Sequence, residues 1–262
     1  IQMCRGNRVP LILVPTTAGT GSEGTPISIV TTGDSEKKGI VSQQLLPDWA
    51  VLDANLTLGL PKHTTAATGI DAMVHAIEAY TSKLKKNPMS DCLAKEALRL
   101  LGANIRLVCD DGSNGEARSK MLLGSMLAGM AFTNAPVAAV HALAYPLGGH
   151  FHVAHGLSNS LVLPHVIRFN IKDSNSAYSE LGPILFPNIQ LTPVESMGME
   201  MADCLAGLAE DLGLETRLRD VGVSHNQIPM LAEDAMKQTR LLVNNPRKMT
   251  YEAALKIYRE AY

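Results

Sequence analysis

Aromatic side chains are scarce in this chain. One tryptophan, six tyrosines and four phenylalanines make up 4 % of 262 residues, so the core has to be built from aliphatic side chains and the 12 methionines. Cysteine is scarce too. Cys4, Cys92, Cys109 and Cys204 lie far apart with no C-x-x-C spacing, which excludes a disulfide-stapled scaffold and points to reduced thiols in a cytoplasmic protein. Neither charge is in excess: 23 basic against 25 acidic residues give a net charge of −2, without the basic footprint of a nucleic-acid binder. No apolar run approaches the ~20 residues that span a bilayer, and no signal-peptide pattern opens the chain. What remains is 46 % hydrophobic and 18 % charged, the composition of a globular chain with an ample core.

The pattern changes once along the chain. Residues 9–15, "VPLILVP", form a continuous apolar run of the kind that makes a buried strand, and 25–32, "TPISIVTT", alternate as a strand does. "GDSEKK" reads as a polar turn, "KGIVS" and "WAVLDA" as further strand, with Pro47 between them. From Thr64 a 3.6-residue period takes over and predicts helices near 64–82, 88–109, 115–133, 136–147, 158–169, 195–212 and 250–261. "LFPNIQLTPVES" and "DVGVSHNQIP" read as connections, with Ser196 or Thr192 placed to cap the helix after the first. About 55 residues of strand make too little for a domain. They read as the tail of a sheet whose other strands lie elsewhere.

Three stretches carry chemistry. In "GIDAMVHAIEAY" (69–80) Asp71 and His75 are four residues apart, so both side chains leave one face of one helix and can meet one ion. The same pair also reads as a carboxylate favoured by the helix dipole beside a core histidine. Residues 141–165 hold five of the eight histidines: His141, His150, His152, His155 and His165. A histidine on a helix, a Pro-Gly-Gly break and a histidine opening a new helix bring His141 and His155 together. With Asp71 and His75 they offer one carboxylate and three imidazoles, a set suited to Fe(II), Zn(II), Co(II), Ni(II) or Mn(II). Five histidines are a surplus, so composition does not choose among them. The third stretch, "PTTAGTGSEGT" (15–25), puts three glycines and small hydroxyls after a strand, where backbone amides can approach a phosphate or ribose. It fits neither the P-loop nor the G-x-G-x-x-G pattern, and an ordinary glycine turn uses the same residues.

Taken together, "PTTAGTGSE", "TAATGIDAMVHAIEAYTS" and "HALAYPLGGHFHVAHGLSNSLVLPHV" resemble the iron-containing (group III) alcohol dehydrogenases, and the likeness runs from about residue 9 to the end. The resemblance implies an α/β remnant followed by an all-α domain. Residues 1–57 would be the C-terminal remnant of a dinucleotide-binding domain, and 58–262 the helical, metal-binding catalytic domain of the dehydroquinate synthase-like alcohol dehydrogenase fold. It assigns the metal to Asp71, His75, His141 and His155 and sets His150, His152 and His165 aside as ligands. His150 falls in the loop facing the family's substrate pocket. Thr16, Thr17, Thr25, Lys37 (or the adjacent Lys38), Leu56 and Gly59 match positions beside the nucleotide. The cofactors implied are Fe2+, with Zn2+ or Ni2+ able to replace it, and NAD or NADP. The partners implied are a small alcohol or carbonyl compound and a second copy of the chain in a homodimer, with neither nucleic acid nor membrane.

Two departures qualify the likeness. Many members carry a second histidine near the nicotinamide, four residues beyond His141, where this chain has Tyr145; a tyrosine has a reference pKa of about 10 rather than about 6.5. Tyr145 is then the candidate for proton relay or nicotinamide positioning. The family's Gly-Gly-Gly-Ser segment, which grips the cofactor pyrophosphate, occurs nowhere in the 262 residues, so the chain reads as a fragment or short form with impaired turnover. Two rival readings follow. A hydroxy-acid dehydrogenase or hydroxyacid–oxoacid transhydrogenase of the same family would need a cation for the carboxylate, and residues 132–160 contain no arginine. A catalytically silent metal-binding helical module is the other.

Overall fold

The computed structural model describes residues 8–32, 36–187 and 196–262, with backbone only at 31–32 and 36–38. All its strands precede its long helices. β1 (Ile12–Leu13) pairs in parallel with β4 (Trp49–Ala50), and β2 (Ile27–Thr32) pairs antiparallel with β3 (Glu36–Val41) in the register Ile27 opposite Val41. Residues 33–35, in the expected polar turn, lie outside the described residues, as do Cys4 and Thr192. The apolar run 9–15 supplies a strand but not a buried one: Val9 is 81 % exposed, and Ile12 and Val14 are also exposed. Among the described residues no second layer covers this two-stranded parallel pair, and a parallel sheet is buried only when both faces are covered.

Helices α1 (Lys62–Thr81), α2 (Pro88–Asp110), α3 (Gly115–Asn134), α4 (Ala139–Phe151), α5 (His155–Leu185) and α6 (Met197–Asp211) follow. α7 (Ile228–Met236), α8 (Thr239–Leu242) and α9 (Tyr251–Glu260) complete the order. Their starts follow from capping chemistry. Asn87 accepts from the amides of Met89 and Ser90 while Ser90 accepts from the Asn87 amide, with Pro88 opening α2. Asn114 and Thr250 cap α3 and α9 in the same manner. α1 is the central helix. It packs against α2, α3 and α5, and 16 of its 20 residues are buried, so it has no solvated face to accommodate polar groups. Among the described residues no single helix is long and apolar enough to cross a membrane, and Cys92, Cys109 and Cys204 are unpaired thiols.

Two helical boundaries differ from the sequence reading. α4 runs through Pro146, Gly148 and Gly149, and the break comes at His152, which takes the left-handed region at φ 54° and ψ 25°. That conformation costs a non-glycine residue energy but ends the helix in one step. α5 continues past 169 to Leu185, bending at Ser174 (φ −144°). The polar run "NIKDSNSAYSE" has weak helix propensity, but packing of α5 against α6 overrides it. α7 and α8 occupy part of what reads as connection, for the same reason: α7 packs on α4 and α9.

Candidate metal centre

Asp71, His75 and Glu78 project from α1 at i, i+4 and i+7, one face of a wholly buried helix. Buried polar groups are costly unless bonded, and each of the three has a partner. The Glu78 carboxylate accepts from the Ala138 amide at 2.9 Å, the Val140 amide at 2.6 Å and His141 Nδ1 at 2.7 Å, so it ties the start of α4 to α1. His75 Nδ1 donates to the Gly19 carbonyl at 3.2 Å. Asp71 Oδ1 accepts from Asn159 Nδ2 at 2.6 Å. With a proton on Nδ1 held by its acceptor, His75 and His141 each keep the Nε2 lone pair for another use.

The other two imidazoles arrive from α4 and α5. His141 stacks on His75 with ring centroids 4.8 Å apart, and His155 lies 5.3 Å from His141. Close approach of α5 depends on Gly156, where a Cβ would fall 2.3 Å from the Ala67 carbonyl oxygen of α1. One donor atom from each of Asp71, His75, His141 and His155 lies within 4.8 Å of all the others. Donors around one ion at 2.0–2.2 Å lie about 3.3–4.4 Å apart, depending on the coordination geometry, so the four need only draw inward to share one ion. The donor set, one carboxylate oxygen and three imidazole nitrogens, fits a divalent transition metal.

The electrostatics favour the ligating protonation states. Burial lowers the His75 pKa to about 3, against the pull of Asp71, and burial also lowers that of His155; both rings are neutral near pH 7, as ligands must be. For Asp71 burial acts upward, but the imidazoles of His75, His155 and His141 and the Asn159 hydrogen bond bring the carboxyl below its ordinary range. Three of the four candidate ligands are buried, whereas the His155 side chain is 45 % exposed, so the cluster opens on one side. Tyr145 stands there, its ring 6.0 Å from that of His155. Burial raises the Tyr145 phenol above its usual value; Arg240 opposes this, and Glu78 and Asp71 add to it. On the other flank Phe132 packs against His75 at 4.6 Å.

The remaining sequence candidates lie apart from the cluster. His150 sits in the last turn of α4 rather than in a loop, and its Nε2 is bonded to Asp234 of α7. Thr16 is exposed and Thr17 half-buried on the glycine-rich segment. Thr25 is buried, its hydroxyl donating to the Ser22 carbonyl at 3.2 Å and accepting from the Ile27 amide at 3.3 Å, so it shapes that segment. Leu56 and Gly59 are exposed after β4, and the Lys37 side chain lies outside the described residues. Sequence reasoning missed Glu78 and Asn159, although each stands one helical turn beyond a named ligand, at i+3 from His75 and i+4 from His155.

The glycine-rich segment reaches the cluster through Gly19 and is pinned to α3 at Gly21. There φ is +57° and the carbonyl lies against Gly129, where a Cβ would fall 2.2 Å from it. Residues 65–262 match the "Fe-containing alcohol dehydrogenase family, C-terminal" and residues 2–54 match "Iron-containing alcohol dehydrogenase". This chain belongs to the iron-containing alcohol dehydrogenase family. Among family members, "Long-chain-alcohol dehydrogenase 1" of Geobacillus thermodenitrificans is 39 % identical over 97 % of this chain, which spans 64 % of that relative's length. The solved structure of a 1,3-propanediol oxidoreductase superposes with a TM-score of 0.93 at 38 % identity, over 99 % of this chain and 68 % of its own. That of sulfoacetaldehyde reductase from Bifidobacterium kashiwanohense, in complex with NAD+, gives 0.87 at 31 % identity, over 99 % and 66 %.

Proposed function

We propose that this chain carries the catalytic part of a metal-dependent alcohol dehydrogenase that moves a hydride between a small alcohol and NAD(P). The observation that carries the reading is the convergence of Asp71, His75, His141 and His155 within 4.8 Å. Asp71, His75, His141 and His155 would hold a divalent cation, Fe2+ by family with Zn2+ or Ni2+ suited to the same donors. That cation supplies Lewis acidity toward an alcohol hydroxyl, and the nicotinamide supplies the hydride acceptor.

The protein's part is placement and protonation. Glu78 keeps the proton on His141 Nδ1 and leaves Nε2 inward. The exposed side of His155 gives substrate its approach, and Tyr145 beside it is a protonated phenol at neutral pH, able to donate a hydrogen bond or pass a proton. Thr16, Thr17, Lys37, Leu56 and Gly59 form the nucleotide side of the reading, with Thr25 and Gly19 fixing the glycine-rich segment against the metal side. The NAD+ held by the Bifidobacterium relative supports this part. Unpaired thiols at Cys92, Cys109 and Cys204 fit a cytoplasmic protein, and the exposed apolar residues of the strand segment fit a homodimer, which sedimentation would test.

Metal content is the test. His155→Ala strips the ion from purified, metal-loaded protein, while His152→Ala, on the neighbouring turn, leaves it in place. Equal metal in the two variants sinks the ligand set.

A further inference from the structure

The four candidate ligands leave one buried polar atom at the cluster without a use. Asn159 is fully enclosed, yet its carboxamide oxygen Oδ1 has no hydrogen-bond partner among the described residues, a costly arrangement for an interior acceptor. Its nitrogen is crowded instead. Nδ2 lies 2.6 Å from Asp71 Oδ1, 3.3 Å from His155 Nε2 and 3.4 Å from His141 Nε2. Its two N–H bonds thus face three donor atoms of the cluster. The side chain stands inside the donor set, whereas Glu78 touches the cluster only through Nδ1 of His141.

Position on the helix explains the placement. Asn159 follows His155 by four residues on α5, as His75 follows Asp71 on α1. Each helix therefore sends one oxygen-bearing side chain and one imidazole from a single face. Gly156, between His155 and Asn159, lets α5 approach α1 closely enough for the two faces to meet. A half-turn about the last side-chain bond exchanges Nδ2 and Oδ1 without changing the volume filled. With Oδ1 inward, two oxygens would oppose each other where Asn159 now donates to Asp71, and that is repulsive unless a cation lies between them.

We propose that Asn159 is a further ligand of the cluster: its carboxamide turns to place Oδ1 on the divalent cation, completing a set of three imidazole nitrogens and two oxygens. This rests on the metal-dependent dehydrogenase reading and deepens it. An added neutral oxygen favours an oxygen-preferring ion such as Mn2+ relative to Zn2+, which four donors satisfy. No proton or electron moves in the step; a hydrogen bond is exchanged for a coordinate bond.

The test measures Mn2+ and Zn2+ affinities of the 262-residue chain against a competing chelator, with the visible spectrum of bound Co2+ reporting coordination. Two variants separate a ligand from a residue that merely holds Asp71. Asn159→Leu removes both the oxygen and the N–H bonds, while Asn159→Asp keeps an oxygen but, ionised, cannot donate to Asp71. Asn159→Leu should lower Mn2+ affinity by roughly 10–100-fold, lower Zn2+ affinity by less, and strengthen the Co2+ absorption as five donors become four. Asn159→Asp should keep the wild-type ratio of Mn2+ to Zn2+ affinity and a Co2+ spectrum of wild-type intensity. Equal losses of the two ions in Asn159→Leu overturn the proposal, because the residue then acts only through Asp71. If Asn159→Leu fails to fold, Asn159→Asp decides alone: a ratio that falls overturns the proposal, and a ratio retained supports it. These results leave the four-ligand reading intact. A wild type that takes up none of the three ions overturns that reading and this proposal with it.

Discussion

The helices from Lys62 onward and the strands before Ala50 follow different physical rules. Among the described residues, every buried hydrophobic side chain lies at or beyond Ala66, while Val9, Ile12, Val14, Trp49, Val51 and Leu56 are all exposed. The helical part buries its apolar surface internally and satisfies the polar groups it encloses. The strand part has hydrogen-bonded ladders but no core, and it is held to the helices at a few points such as Gly19, Gly21 and Gly24. A cluster of four candidate ligands needs rigid supports. It is drawn from three helices of the first part, and the second contributes one carbonyl. The difference teaches where precision resides: stability and ligand geometry come from the helices, and the strands add a surface.

Core truncation should break that contrast most forcefully. Leu101 is fully buried between the central helices, so Leu101→Ala should cost about 2–5 kcal/mol in chemical denaturation. If it costs under 1 kcal/mol, the helical core is not the source of stability. Next is the bond between α1 and α4. Glu78→Gln cannot hold His141 Nδ1 as a carboxylate does, and metal affinity measured against a competing chelator should fall roughly 10–100-fold. Asn159→Ala, which releases Asp71, should fall in the same range. An unchanged affinity in both would mean that the ligands position themselves.

Acid and base then separate the two parts with opposite signs. His165, in α5, is pushed down to about 4 by burial and by Arg168. The unfolded chain therefore binds a proton more readily than the folded one between about 4 and 6.5, and stability is lost as pH falls through that window. His165→Leu should flatten the loss in Tm scans. Glu23, in the glycine-rich segment, is raised by burial, and neither of its oxygens has a hydrogen-bond partner. A raised carboxyl contributes stability below its unfolded value and loses it as pH rises. Glu23→Gln should therefore raise Tm at pH 7, by roughly 2–4 °C for each ~1 kcal/mol in a chain of this size, and change it little at pH 4. The smallest effect belongs to the strands: Trp49→Ala, at a side chain 58 % exposed, should stay within about 0.5 kcal/mol.

Periodicity located α1 to α4, α6 and α9 because their apolar spacing is regular, and side-chain caps at Asn87, Asn114 and Thr250 mark the starts of α2, α3 and α9. It stopped α5 at 169, since Asn, Ser and Asp favour their own backbone in isolation and only the contact with α6 decides otherwise. The Asp71–His75 pair was legible from spacing alone. His141 and His155 were legible as part of a surplus, and only the family likeness separated them from His150 and His152. Glu78 escaped because a carboxylate on a helix reads as a solvated face, and nothing local says that α1 is buried on every side. The exposure of residues 9–15 was illegible for the converse reason: an apolar run announces a strand, not what will cover it.

The hydrogen bond between Glu78 and His141 has an electrical consequence. Asp71 and Glu78 put two carboxylates within one helical face, both sealed from solvent, while His75 is neutral near pH 7. A doubly charged ion brings the enclosed charge to zero. A triply charged one leaves a surplus in a medium that solvates it poorly. Glu78, which is not itself among the four candidate ligands, would thus add to the negative charge that favours a divalent occupant over a trivalent one.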